Sequence, residues 1–210
     1  MNEEHLNQLV FSKNVVEFTA VANEFCNLVE GAGQMTAPQL IEMSRRLLPL
    51  LYFKASLLPP AERILDDELE KYVTELDYNL LQQKWLQKLG EYDAYPEVFD
   101  PEIQFGSETV TASISESILD IYQDLKDFIT SYRLGNEEVM NDALAECSGH
   151  FRDFWGQRLV NVLRAVHQLA FAGIEWDESA SGSAKPQRGD DKSSNWVDRF
   201  FGQQDEDEII

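Results

Sequence analysis

Apolar residues recur every three to four positions along most of this chain, the period of helices packed by one face. The longest run is 136–172. Asn136 follows Gly135 as an N-cap, Glu137 and Glu138 occupy the acid-favouring first turn, and Gly173 supplies a stop. Met140, Leu144, Cys147, Phe151, Phe154, Trp155, Val162, Val166 and Leu169 form its main stripe. A second stripe holds Ala145, Gly149, Gly156, Val160 and Leu163. A helix apolar on two sides reads as the central one. It would span about 55 Å, so a bend is expected at Gly149 or Gly156. The seven-residue spacing puts both glycines on one face, where they would admit a close-packed neighbouring helix.

The rest of the pattern fits helices around it. A helical turn is expected over 3–11, with Ser12 capping a helix over 14–30 that buries Val15, Phe18, Ala22, Phe25 and Val29. Gly31 and Gly33 end it. Thr36-Ala37-Pro38-Gln39 is a capping box opening a helix toward Leu57, which Pro49 should kink. Asp66 to Val73 could form a short helix. Thr74-Glu75-Leu76-Asp77 caps a helix over 75–89 with Leu76, Leu80, Leu81, Trp85 and Leu89 inward, and Gly90 stops it. A capping box at Ser113–Glu116 starts a helix to Arg133, which should pack antiparallel to the 136–172 helix. Between the 75–89 helix and the one that starts at Ser113, residues 91–113 are acidic, aromatic and broken by Pro96, Pro101 and Gly106. A segment that long is either packed on the core through Tyr92, Tyr95, Phe99 and Phe105 or offered to a partner.

The fold class is therefore all-α, a bundle of five or six helices around a long central helix. Three segments follow: a helical bundle domain over 1–176, a flexible linker over 177–195, and an aromatic–acidic motif over 196–210. The linker is small, polar and without a large apolar residue. In the motif, Trp196, Val197, Phe200 and Phe201 cluster on one side of a short helix, the form of a peptide that docks into a groove.

Charge narrows the partners. A net charge of −21 disfavours nucleic acid and an anionic membrane surface and leaves basic proteins and metal ions open. Cys26 and Cys147 fall on apolar faces and read as reduced thiols of a cytoplasmic protein. The first ten residues lack the features of a signal peptide, and no apolar run is long enough to span a membrane.

Candidate chemistry is sparse. Arg158 projects near the centre of the main stripe, so it should be mostly buried and paired with a carboxylate, Asp124 first and Glu17 in reserve. Glu116, Asp120, Asp124 and Asp127 stand at helical steps that suit a divalent metal, but all except Asp124 lie opposite the apolar face, where solvated acids belong. Glu146, His150 and Asp153 also have ligand-like spacing, with a structural role for His150 the stronger reading. Phosphate loops, nucleophile elbows and zinc-spaced Cys or His pairs are absent, so no catalytic residue, cofactor or metal is assigned.

Over YQDLKDF (122–128), WGQRLVNVLRAVH (155–167) and SKNVVEF (12–18) the chain resembles an all-helical bacterial domain family known only as a domain of unknown function. The resemblance spans about 1–172 and implies a bacterial, cytoplasmic, helical domain. It carries no activity, cofactor or site residue, and the tail lies outside it. The first functional expectation is a non-enzymatic protein-interaction module acting on an unknown protein partner through the tail or the acidic–aromatic loop. The alternative is a small hydrolase or metal-binding enzyme using the carboxylates of 114–133 with Arg158. A pocket joining Arg158 to at least two carboxylates would favour the enzyme, and a solid core there the module.

Overall fold

A computed structural model of the chain describes residues 3–97 and 111–176. The tail motif, the linker, Phe99 and Phe105 lie outside the described residues. The fold is all-α. In chain order it has α1 (Glu3–Val10), α2 (Lys13–Glu30), α3 (Ala37–Ser56), α4 (Glu75–Leu89), α5 (Ile114–Arg133), α6 (Glu137–His150) and α7 (Gly156–Phe171). Two three-residue strands, β1 (Ala94–Pro96) and β2 (Thr111–Ser113), pair antiparallel between α4 and α5.

Local chemistry explains most boundaries. Thr36 with Gln39, and Thr74 with Asp77, form reciprocal capping boxes. Asn136 accepts from the amides of Glu138 and Val139. Ser113 caps α5 by accepting from Glu116 N–H, but the second half of that box is replaced: buried Asp93 accepts from Ser115 N–H at 2.7 Å. Gly90, Gly135 and Gly173 take positive φ (55°, 75° and 67°) where the chain leaves a helix. Ser12 stands at the N-cap of α2 without a side-chain capping bond; its carbonyl receives Val16 N–H instead.

The helix at the centre is α5 rather than the 136–172 segment. It packs against α2, α4, α6 and α7, and it buries Ile118, Leu119, Ile121, Tyr122, Leu125, Phe128 and Ile129 around most of its circumference. The 136–172 segment is one helix in path but is interrupted by a π turn over Phe151–Trp155. The break falls beside Gly156, one of the two sites expected to bend. A π turn holds one residue more than an α turn, which rotates every later face by about 100°. The buried series therefore runs Cys147, Trp155, Leu159, Val162, Val166, and Phe154 and Val160 emerge at the surface.

The π turn also corrects the reading of the glycines. A Cβ on Gly149 would meet nothing within 4 Å, so no helix among the described residues lies close there. A Cβ on Gly156 would come within 2.3 Å of the Phe151 carbonyl oxygen and 2.9 Å of its ring. Gly156 is required by the chain's own π turn, whose closing bond runs from its N–H to Phe151 C=O.

Residues 58–73 form no helix. They cross the bundle as an extended strap, with Leu69 and Val73 packed on the core. The strap's amides are met by carboxylates from beneath. Ile64 and Leu65 each donate to Asp142 at 2.9 Å, and Tyr72 donates to Asp127 at 2.8 Å. Asn141 donates to the Glu62 carbonyl at 2.8 Å. Sequence propensity favoured a helix over 66–73; the tertiary acceptors prevail because they satisfy the same backbone groups while Leu69 and Val73 stay packed. On α4, Leu81, Trp85 and Leu89 face inward, whereas Leu76 and Leu80 point outward.

Candidate functional site

The acidic side of α5 is not bare. Asp120, Asp124 and Asp127, about one turn apart, form the floor of an open pocket whose walls are Lys71 from the strap and His150 and Phe154 from the end of α6 and the π turn. It encloses about 610 Å³, counting its open mouth. Periodicity put Asp120 and Asp127 in water, and Asp124 at the boundary, because it cannot see that the strap and the π turn wall them in.

Each carboxylate has a partner. Asp120 receives Arg158 Nη1 at 2.9 Å and the Tyr78 hydroxyl at 2.8 Å. Asp124 is 2.6 Å from His150 Nδ1. Asp127 accepts the Tyr72 amide and lies 3.8 Å from Lys71 Nζ, which also bonds Glu146. Burial raises the pKa of Asp124 above the usual carboxylate range, opposed by its bond to His150. Burial likewise raises Asp127, opposed by the Tyr72 amide and Lys71. Burial works to lower the Lys71 pKa, but the Glu146 bond and the charges of Glu146 and Asp127 outweigh it and raise it. Tyr78 is raised by burial and by its bond to Asp120.

Arg158 departs from the expectation in partner and burial. Its side chain is 37% exposed, binds Asp120 one turn before Asp124, and lies over the Phe154 ring at 4.7 Å. The phase slip at the π turn moves it from the stripe centre to the stripe edge. Asp124 is left to His150, and the reserve partner Glu17 is held by Lys54 at 2.7 Å. The Glu146, His150 and Asp153 set disperses: Glu146 to Lys71, His150 to Asp124, Asp153 to Arg152. His167 stacks on Phe171 at 4.9 Å between centroids. Among the described residues no group of three or more His, Cys, Asp and Glu is placed to hold a metal ion. Reading the sequence did not identify Lys71, Tyr78 or Asp142. Lys71 sits in a non-periodic stretch, and Asp142 is one polar residue beside Asn141 with no periodic signal to mark it.

The chemistry available is that of a polar, acid-floored pocket with an aromatic lip. Its cationic side chains Arg158 and Lys71 are partly exposed, as is the ring of His150. A cation from outside would find carboxylates below it and the Phe154 ring beside it.

Comparison with known proteins follows this geometry. The model of a family described as domain of unknown function (DUF5063) matches residues 9–172. The crystal structure of protein BF1032 from Bacteroides fragilis is similar at 43% identity, with a TM-score of 0.71 over 80% of this chain and 98% of that one. No curated protein matches the chain.

Proposed function

We propose that this chain, which belongs to the DUF5063 family, is a non-enzymatic protein-interaction module that seats a basic segment of a partner protein in the α5 pocket. The observation that carries the reading is the pocket itself, three carboxylates at one-turn intervals under an exposed aromatic ring. The net charge of −21 supports it by steering cationic partners toward the surface. The tail motif and residues 98–110 of the acidic–aromatic loop, on which the sequence reading rested, lie outside the described residues; of that loop's described aromatics, Tyr95 is buried in the core and Tyr92 packs on Trp176. The cytoplasm is the compartment we assign. In its favour, Cys26 and Cys147 are buried and unpaired, with burial pushing the Cys26 thiol up to about 12. No helix among the described residues is long and apolar enough to cross a membrane.

A second reading has one observation in its favour. The 2.6 Å contact of Asp124 with His150 Nδ1 is the arrangement that orients a histidine as general base, and a hydrolase would use it with Arg158 binding an anionic group. Against it, Arg158 contacts one carboxylate rather than two.

Calorimetric titration of the full chain with an arginine- and lysine-rich peptide tests the first reading. Binding should weaken at least fivefold in Asp124→Asn and in Phe154→Ala, and hardly at all in Glu75→Gln, which removes the same charge from exposed α4. Equal weakening in Asp124→Asn and Glu75→Gln, with Phe154→Ala binding as the wild type does, would reduce the effect to net charge and refute a specific pocket.

A further inference from the structure

The outward face of α4 is uncharged along its length. Leu76, Leu80, Gln83 and Gln87 follow one another at steps of four, three and four, the spacing of a heptad seam. Leu76 is 67% exposed, Leu80 49%, and Leu86 on the flank 47%. With Asn79 they make a strip that holds no charged side chain, in a chain of net charge −21. The strip lies opposite Leu81, Trp85 and Leu89, which already anchor α4 to the core, so it is not needed for folding.

We infer that this strip is the contact between two copies of the chain, joined antiparallel about a two-fold axis passing between Leu80 and Gln83. Charge selects both occupant and orientation. Two chains of −21 repel everywhere that acids meet, and this strip lets them touch without juxtaposing like charges. Asp77 and Lys84 stand seven residues apart at the same flank of the seam, both exposed. In an antiparallel pair, same-flank positions face each other across the axis, so Asp77 of one copy meets Lys84 of the other, twice by symmetry. In a parallel pair neither finds an opposite charge. Leu80 then packs against Gln83 of the second copy, and Leu76 against Gln87. A helix of 15 residues offers about 22 Å of seam, so the association is concentration-dependent rather than obligate.

Sedimentation equilibrium of the full chain tests this over rising concentration. The average mass should climb from 24.1 kDa toward twice that value. Leu80→Glu should hold it at the monomer mass, with a melting curve unchanged at concentrations where the wild type is itself monomeric, since residue 80 is not part of the core. A mixture of Leu80→Cys and Gln83→Cys chains should form the mixed disulfide dimer several-fold faster than either forms its own. The inference is overturned by a wild type that stays monomeric, whether the face is bare or covered by another segment of the same chain. A dimer indifferent to Leu80→Glu, or preferential cross-linking of residue 80 to itself, overturns it as well.

Discussion

Removing the Asp142 carboxylate should be among the most damaging single changes away from the apolar core. Its side chain is fully buried, at 0% exposure, and receives Ile64 N–H and Leu65 N–H at 2.9 Å each and Asn141 Nδ2 at 3.0 Å. Hydrogen bonds to a charged group contribute about 1.5–3 kcal/mol each. In Asp142→Ala the two strap amides lose their acceptor while Asn141 keeps its bond to Glu62 C=O. The loss should therefore be about 3–5 kcal/mol if the strap stays in place. If the strap peels away so that water meets the amides, the loss is smaller, but the native state then exposes more surface. Urea unfolding separates the outcomes. A held strap lowers the midpoint at constant slope; a released strap lowers the slope as well. Amide exchange at Ile64 and Leu65 should quicken in either case. A loss under about 1 kcal/mol with slope and exchange unchanged would refute the claim that Asp142 anchors the strap.

Four other outcomes follow from the same structure. Gly156→Ala should destabilise by about 1–3 kcal/mol, because its Cβ meets the Phe151 carbonyl, whereas Gly149→Ala should stabilise by up to about 1 kcal/mol, because nothing stands there; thermal melts of the pair check the opposite signs. Arg158→Met should cost only about 0–1 kcal/mol by urea unfolding, since Arg158 is partly exposed and the Tyr78 hydroxyl still serves Asp120. Asp127→Asn should show a pH-dependent cost. Burial raises the folded pKa of Asp127 above its ordinary 3.8, so the stability linked to its proton is present below that value and lost as pH rises through the folded pKa. Melts at acid and neutral pH should then show a larger penalty at the acid end; a penalty that grows toward neutrality would mean that the Tyr72 amide and Lys71 outweigh burial.

Much of the fold was legible because it is local. The caps at Thr36, Thr74, Ser113 and Asn136 and the stops at Gly90, Gly135 and Gly173 are short-range chemistry, and each marks a real boundary. The helical period also runs through Ile118, Ile121, Leu125 and Phe128 on the inner face of α5. It did not reveal that Leu119 and Tyr122 are buried too, which is what makes α5 central. The site was legible only as an inventory. Asp120, Asp124, His150 and Arg158 were all in view, but the Arg158–Asp120 pair depends on one extra residue in the Phe151–Trp155 turn, which re-phases α7 without any departure from helical spacing, and the His150–Asp124 pair on how α6 packs against α5. The strap was misread for a related reason: Asp127 and Asp142 supply its acceptors from 54 to 78 residues away.

Binding of a basic segment in the α5 pocket is the central claim, and amide and side-chain NMR of the labelled full chain during titration with an arginine- and lysine-rich peptide tests it most directly. The account predicts that the largest shifts fall on Asp124, Asp127, His150, Phe154 and Lys71, that they saturate together, and that they shrink in Asp124→Asn. Small shifts spread over every acidic stretch, or shifts concentrated outside the pocket with His150 and Phe154 unmoved, would contradict it.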